Sequence, residues 1–531
     1  MTGQIKILVS DSLSKQGVEL LQKAGFAVDV KTKLTKDELL KEIKDYDGLI
    51  VRSGTKVTAE VIAAANRLKI VGRAGSGLDN VDQAAATKRG IVVMNTPGGN
   101  TVTTAEHTMS MICAMARRIP QATAKLKGGG WDKDKFMGVE LYGKTLGVVG
   151  FGQIGGYLAK LAQGFSMTVI AYDPYLSPEK AQKMGVEVLP LDDVFRRADI
   201  ISVHTPLTPE TRSLINAAAI AKMKPGVMLV NCARGGIINE PDLAEALKTK
   251  RVAAAAFDVF DEEPVKADHP LLALDNFICS PHIGASTTEA QENVAIGIAE
   301  QIVDYFTKGV ARGAVNVPSV PPDLLPRLHP YLILAERLGL LVAQVYEGGL
   351  EQVTVEYNGE VSSLSLAPLT VAVLKGLLSP ILQDEVNYVN APLLARERGI
   401  EVKEVKSSEA GDFTSVLRVR VEAGKKSHRV AGTLHNKKEP RVIEIDHFQV
   451  EIVPEGHMLL IFNQDKPGAI GAVAQILGDH EVNIARMQCA RECQGGRALL
   501  LLGLDAPPPA GVLDKIRSTK NILSVKLVTL S

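Results

Sequence analysis

Leu146-Gly147-Val148-Val149-Gly150-Phe151-Gly152-Gln153-Ile154-Gly155 is an apolar run of strand length that passes straight into a Gly-x-Gly-x-x-Gly turn and then a helix. Without Cβ atoms at Gly150, Gly152 and Gly155, backbone N–H groups and the helix N-terminus can approach a pyrophosphate. Plain glycine turns share the motif. Here, however, a second apolar strand, Thr168 to Tyr172, ends in Asp173, at the spacing where a carboxylate can take the ribose hydroxyls, so a dinucleotide site is expected. Asp173 would repel a 2'-phosphate, and Asp173-Pro174-Tyr175 supplies no Arg to offset it; the expected cofactor is NAD rather than NADP.

Outward from this turn, Thr145 to Val149, Thr168 to Ala171, Ile200 to Val203, Val227 to Val230, Val252 to Phe257 and Phe277 to Cys279 are apolar runs separated by helix-like sequence. That alternation predicts a doubly wound parallel sheet. Upstream, Ile5 to Val9, Gly48 to Val51 and Lys69 to Gly72, with an amphipathic segment at Val18 to Lys23, predict a second α/β unit. Thr103 to Arg117, between the two sets, reads as one long helix suited to a hinge. The proline-rich stretch from Asn316 to Pro330 is expected to continue neither helix nor strand and to mark a boundary. Helices near Ala335 to Tyr346 and Leu369 to Leu378, and alternation at Val416 to Val421, predict an α+β module. From Glu455 the order βαββαβ predicts a ferredoxin-like unit.

A chain of 531 residues is too long for a single core. Lys plus Arg and Asp plus Glu each number 60, which leaves no summed field for a polyanion such as nucleic acid. Apolar runs stay well short of the roughly 18 residues a membrane helix needs, and Met1 leads into a strand rather than a signal peptide. Five scattered cysteines without a CxxC pair predict free thiols, no metal site and a cytoplasmic setting.

Three polar segments each follow an apolar strand, at the sheet edge where ligands bind. Asn231-Cys232-Ala233-Arg234-Gly235-Gly236 presents Arg234, a forked cation able to hold a substrate carboxylate. Asp258-Val259-Phe260-Asp261-Glu262-Glu263-Pro264 and Ser280-Pro281-His282-Ile283-Gly284-Ala285 supply an imidazole for proton exchange and a carboxylate to orient it. The expected set is Arg234, Glu263 and His282. A packed or hydrogen-bonded role is expected for His107, within the long helix. His204, before Thr205-Pro206, is expected to shape the cofactor pocket.

These segments, GFGQIG, VHTPLT, NCARGG, DVFDEEP and PHIGAS, resemble in type and order the D-isomer-specific 2-hydroxy acid dehydrogenases. Val51-Arg52-Ser53, Gly72-Arg73-Ala74-Gly75-Ser76-Gly77-Leu78-Asp79-Asn80 and Met94-Asn95-Thr96-Pro97 look like the branch of that family that oxidises D-3-phosphoglycerate, in its long form. The resemblance implies a flavodoxin-like substrate domain (1–98 and 286–316), a Rossmann NAD domain (99–285), an intervening α+β domain (317–453) and an ACT domain (454–531). It implies that Gln153, Ile154, Asp173, His204, Thr205, Pro206, Cys232, Ala233, Asp258, Gly284 and Ala285 line the NAD site. By the same likeness Ser76 and Gly77 meet the substrate carboxylate and Arg52 and Arg73 its phosphate. Lys133 stands where relatives place a further Arg, a point charge in place of a fork. Asn463, Asp465 and Asn483 are implied to hold an L-serine effector across a subunit interface. The resemblance also implies a homodimer or homotetramer acting at the entry to serine synthesis. Rival readings are a glyoxylate or hydroxypyruvate reductase, which does not need Arg52 and Arg73, and an NAD-sensing corepressor-like protein, which does not need a proton-transfer pair.

Overall fold

The computed structural model describes residues 4–318, 324–346, 348–382, 386–424 and 426–530. Two parallel sheets come first. One has five strands in the order Ala27–Val30, Lys6–Val9, Gly48–Val51, Ile70–Arg73, Val92–Asn95, the 2-1-3-4-5 order of flavodoxin-like folds. The other has seven, ordered Phe277–Cys279, Val252–Phe257, Val227–Asn231, Ile200–Val203, Thr145–Val149, Thr168–Tyr172, Glu187–Val188. Its order reverses between Ile200–Val203 and Thr145–Val149, and the Gly-rich turn opens at that switch point. Strands such as Ile200–Val203 and Val227–Asn231 are buried along their whole length, which is why they read as unbroken apolar runs.

Two strands of these two sheets carry little strand signal of their own in the sequence. Glu187–Val188 is two residues long, and Ala27–Val30 is a half-exposed edge with an Asp in it. Val92–Asn95 is fully buried and apolar up to its terminal Asn95, where it runs into the Met94-Asn95-Thr96-Pro97 motif. The expected long helix runs Thr101–Ala116. Far downstream, helix Thr288–Lys308 brings the chain back to the first sheet, where Val294, Ile298, Ala299 and Ile302 join a core with Ile7, Ile50, Ile70 and Val92.

The next unit is a six-stranded sheet ordered Glu401–Ser407, Gln352–Gly359, Ser415–Ala423, Lys426–His435, Glu439–Ile445, Phe448–Ile452; only its first pair is parallel. Helices Leu325–Val345 and Ala367–Leu378 cover it and lie unusually close. A Cβ on Gly339 would stand 2.1 Å from the Val373 carbonyl oxygen, and one on Gly376 would stand 2.0 Å from that of Glu336. The first of these helices corrects an expectation, since it contains Pro326 and Pro330. Pro326 lies in the first turn, where its N–H would have had no partner. Pro330 forfeits one internal bond, at a cost of about 3 kcal/mol, against the burial of Leu328, Leu334, Leu338, Leu341 and Val342. Residues 319–323 of the proline-rich stretch lie outside the described residues.

This unit touches both neighbours. Asn387 Nδ2 donates to the Gly90 carbonyl at 3.0 Å, and Val389 is buried in the core of the first sheet. Between them the Tyr388 hydroxyl bonds Glu336, with Lys375 Nζ 4.5 Å above the ring. At the other end Gln344 exchanges two hydrogen bonds of 3.0 Å with the backbone of Thr529.

The last unit is antiparallel, ordered Ile484–Arg491, Arg497–Leu504, Gly456–Gln464, Ile522–Leu530, with helices Ala469–Asp479 and Val512–Arg517: the expected βαββαβ. The second helix is capped by Gly511, at φ +82°. Among the described residues no helix is long and apolar enough to cross a membrane, and no cluster of His, Cys, Asp and Glu is placed to hold a metal.

Candidate active site

The three glycines of the turn serve three different ends. Gly150 has φ +93°, a conformation that side chains disfavour, and a Cβ there would stand 2.8 Å from the His204 carbonyl. A Cβ on Gly155 would stand 2.3 Å from the Gly150 carbonyl oxygen, so this glycine lets helix and strand close up. Around Gly152 a Cβ would meet nothing within 4 Å. The space before helix Gln153–Gly164 is therefore open, as a pyrophosphate at a helix N-terminus requires. Nearby, His204 Nδ1 and Thr205 Oγ1 are buried polar atoms with no protein partner, which fits groups that face a ligand. These residues fit NAD.

Asp173 accepts from Phe151 N and Tyr175 N, both at 2.8 Å, so it pins the turn while each oxygen keeps a further lone pair for a ribose hydroxyl. His204 bonds Ser202 Oγ at 2.8 Å, and burial pulls its pKa down to about 4, leaving a neutral ring. Gln153 accepts from Thr101 at 3.1 Å. Ile154, His204, Thr205, Pro206, Cys232, Ala233, Asp258, Gly284 and Ala285 line a cleft of about 840 Å³ between the two parallel sheets. Burial pushes the Cys232 thiol up to about 12, so it is an apolar wall rather than a nucleophile.

In the same cleft stand Arg234, Glu263 and His282. His282 Nδ1 and Glu263 Oε2 are 2.6 Å apart, and the other Glu263 oxygen accepts from Phe260 N at 3.0 Å. The Glu263 hydrogen bond raises the His282 pKa above its ordinary value, outweighing burial. Burial would raise the Glu263 carboxyl, but the donors from His282 and Phe260 bring it below the usual range. With Nδ1 committed to Glu263, Nε2 is the nitrogen left to exchange a proton.

Asp258 is 1% exposed and turns its carboxylate into the loop that carries His282. It accepts from Ser280 Oγ at 2.6 Å, Ile283 N at 2.9 Å and Gly284 N at 2.7 Å, with His107 Nε2 at 3.3 Å. Burial alone would favour its neutral form; those donors lower its pKa instead. Asp258 borders the NAD cleft, but its oxygens staple the His282 loop rather than face the opening. The sequence reading missed this network, because Asp258, Ser280 and His107 converge only in three dimensions.

On the facing side, Arg73 is largely buried, and that burial, followed by the repulsion of Arg234 and Arg52, lowers its pKa to about 10. A Cβ on Gly75 would stand 1.8 Å from Arg73 Nη1, so the glycine makes room for the guanidinium. Arg52 is held by its backbone N–H to Asp11 at 2.6 Å and joins Arg73, Glu263 and His282 around an adjoining cavity of about 820 Å³. Ser76 donates to Asn100 Oδ1 at 2.7 Å, and Gly77 lies beneath Arg234. Arg234 itself is not free: its Nε donates to Asp79 at 2.9 Å. Lys133 is exposed on the short turn Lys133–Phe136 and lines neither cavity of its own chain, beside Trp131 and Met137, each 82% exposed.

The three effector candidates are likewise not brought together within one chain. Asn463 pairs opposite Ala498 and Asp465 accepts from Arg491 and Gly495, both at 3.1 Å, at one end of strand Arg497–Leu504. Asn483 bonds Asp505 at 2.7 Å beside Leu504, at the other end. At about 3.3 Å per residue the two ends are roughly 20 Å apart.

A switch-point dinucleotide site facing an Arg, Glu and His cleft defines an NAD-dependent oxidoreductase. The model for "D-isomer specific 2-hydroxyacid dehydrogenase, NAD binding domain" matches residues 109–284. The D-3-phosphoglycerate dehydrogenase intervening domain matches 327–446 and the ACT domain 457–521. The D-3-phosphoglycerate dehydrogenase of Methanocaldococcus jannaschii is 47% identical over 527 residues, 99% of this chain and 100% of that protein. That of Synechocystis sp. is 44% identical over 526 residues, covering 99% and 95%. A crystal structure of NAD+-bound 3-phosphoglycerate dehydrogenase from Entamoeba histolytica matches 60% of this chain and 100% of its own, at 32% identity and TM-score 0.51. The chain belongs to the D-isomer-specific 2-hydroxyacid dehydrogenases, in the D-3-phosphoglycerate dehydrogenase branch.

Proposed function

We propose that this chain oxidises D-3-phosphoglycerate to 3-phosphohydroxypyruvate, with NAD as hydride acceptor. The observation that carries the reading is the bonded His282–Glu263 pair, sharing a cleft with Arg234, Arg73 and the Gly-rich turn. Arg234 holds the substrate carboxylate with its remaining donors, above the backbone of Ser76 and Gly77, and Arg73 and Arg52 take the phosphate. His282 Nε2 accepts the hydroxyl proton, and Glu263 stabilises the imidazolium that results. Bound NAD supplies the C4 of the nicotinamide that receives the hydride from C2. Gln153, Ile154, Asp173, Thr205 and the stretch from His282 to Ala285 hold the dinucleotide.

Three arginines about two adjoining cavities, with Arg73 lining both, favour a phosphorylated acid over glyoxylate or hydroxypyruvate, and the proton-transfer pair is superfluous in a sensor. NADH formation, compared for D-3-phosphoglycerate and unphosphorylated D-glycerate, tests the reading; turnover of glycerate alone would overturn it.

The unit limits, 1–98 with 286–316, 99–285, 317–453 and 454–531, follow the same reading. Exposed Ile119, Leu126, Trp131, Met137 and Tyr142 lie on one segment, which suits burial in a homodimer or homotetramer, and Lys133 in that segment would then serve a partner's cleft. L-serine is the effector proposed for the ACT unit, in a site shared between two chains. Five free thiols suit the cytoplasm.

A further inference from the structure

We propose that Asp79 is the positioning residue that sets Arg234 for the substrate, and that it acts across the cleft, from the sheet opposite the one that carries Arg234. The proposal rests on the reading of Arg234 as the carboxylate-binding group. An arginine side chain has about 2 kcal/mol of rotamer entropy to lose before its fork is useful. Here the guanidinium is constrained on three sides. Nε donates to Asp79 Oδ2 at 2.9 Å and Nη1 to the Ala233 carbonyl at 2.7 Å. Nη2 lies over Gly77, where a Cβ would stand 2.0 Å from it and 2.9 Å from Asp79 Oδ2. The bare Cα of Gly77 is thus the floor on which both charged groups meet. With Nε occupied, the fork offers its outer Nη edge to the cleft.

Asp79 can act as a fixed reference because its neighbours are tied down. Asn80 Nδ2 donates to the carbonyls of Arg52 and Thr55, each at 2.6 Å. Asn95 Nδ2 donates to the Ser76 carbonyl at 2.6 Å, and Gly75 N donates to Thr96 Oγ1 at 2.8 Å. The carboxylate is therefore registered to the first sheet, whereas Arg234 follows strand Val227–Asn231 of the second. The Asp79 charge also offsets part of the repulsion that Arg234 exerts on its like-charged neighbour Arg73. Its side chain is 68% exposed, and an exposed ion pair adds little to stability, so its worth lies in the orientation of the fork.

Steady-state kinetics and melting of the full chain test this. Asp79→Ala is expected to lower kcat/KM for D-3-phosphoglycerate about tenfold or more, the scale of one lost charge-assisted hydrogen bond, with KM for NAD and the melting temperature unchanged. Asp79→Asn, whose Oδ1 still accepts from Nε, should recover most of the loss. Unchanged kcat/KM in the alanine variant overturns the proposal. So does a loss shared by NAD binding or by melting, or an Asn variant as poor as the Ala variant. If the wild-type chain does not oxidise D-3-phosphoglycerate, the substrate reading fails separately, and the same comparison on the 2-hydroxy acid that it does oxidise decides the role of Asp79.

Discussion

The catalytic cleft and the ACT sheet assemble their candidate residues in opposite ways. In the cleft, Arg234, Glu263 and His282 come from three loops and stand together within one chain. In the ACT sheet, Asn463 and Asn483 belong to one small domain yet sit at opposite ends of its central strands. The parallel sheet explains the first outcome, since every strand ends at the same edge and delivers its loop there. In the ACT sheet Asn463 lies at the end of strand Gly456–Gln464 whereas Asn483 precedes strand Ile484–Arg491; both strands are antiparallel to Arg497–Leu504 and so run the same way, which puts the end of one and the start of the other at opposite edges. The His282–Glu263 pair is thus complete in a single chain, whereas a ligand that needs both asparagines needs a second copy.

The largest effect should come from the cleft. His282→Gln removes the proton acceptor and should lower kcat by about 10²- to 10⁴-fold while NAD binding, measured by titration, persists. A smaller loss would break the assignment of His282.

A second outcome sharpens the role of Glu263 through pH. Because Glu263 raises the folded pKa of His282 above 6.5, the neutral imidazole that oxidation requires accumulates only at higher pH. The kcat/KM for oxidation should therefore rise through an inflection above 6.5, and ketone reduction, which needs the imidazolium, should fall through it. Glu263→Gln should move both inflections to lower pH. Profiles that coincide for wild type and variant would sink this account.

The smallest effect, and the most direct test of the contrast, lies in the ACT sheet. Asn463→Ala and Asn483→Ala should each abolish L-serine inhibition, and hybrid assemblies of the two variants should regain part of it, since one of two shared sites is then intact. Hybrids as insensitive as either parent would show that the site is not divided between chains.

How much of this was legible depended on whether the signal was local. The Gly-rich turn and the buried strands were readable because a parallel strand covered on both faces must be apolar throughout, and because each glycine answers a steric demand within its own neighbourhood. His282, Glu263 and Arg234 were readable because each directly follows such a strand. The restraints upon them were not. Asp79 reaches Arg234 from 155 residues away, and nothing near Asp79 in sequence announces a partner. Lys133 is the opposite case: its likeness to relatives is local, but its place on an exposed turn, away from the cleft of its own chain, is not a property of the motif. Pro330 likewise read as a stop because the cost of a proline is local, whereas the packing that outweighs it is contributed by the whole length of helix Leu325–Val345.

Val389 is encoded in the middle of the chain, yet its side chain fills a gap in the hydrophobic interior laid down by the first strands. The intervening unit is thus a plug as much as a spacer. Damage at Val389 should be felt first by the sheet that presents Arg52 and Arg73, so a defect sown in the middle of the gene would surface as poor affinity for substrate.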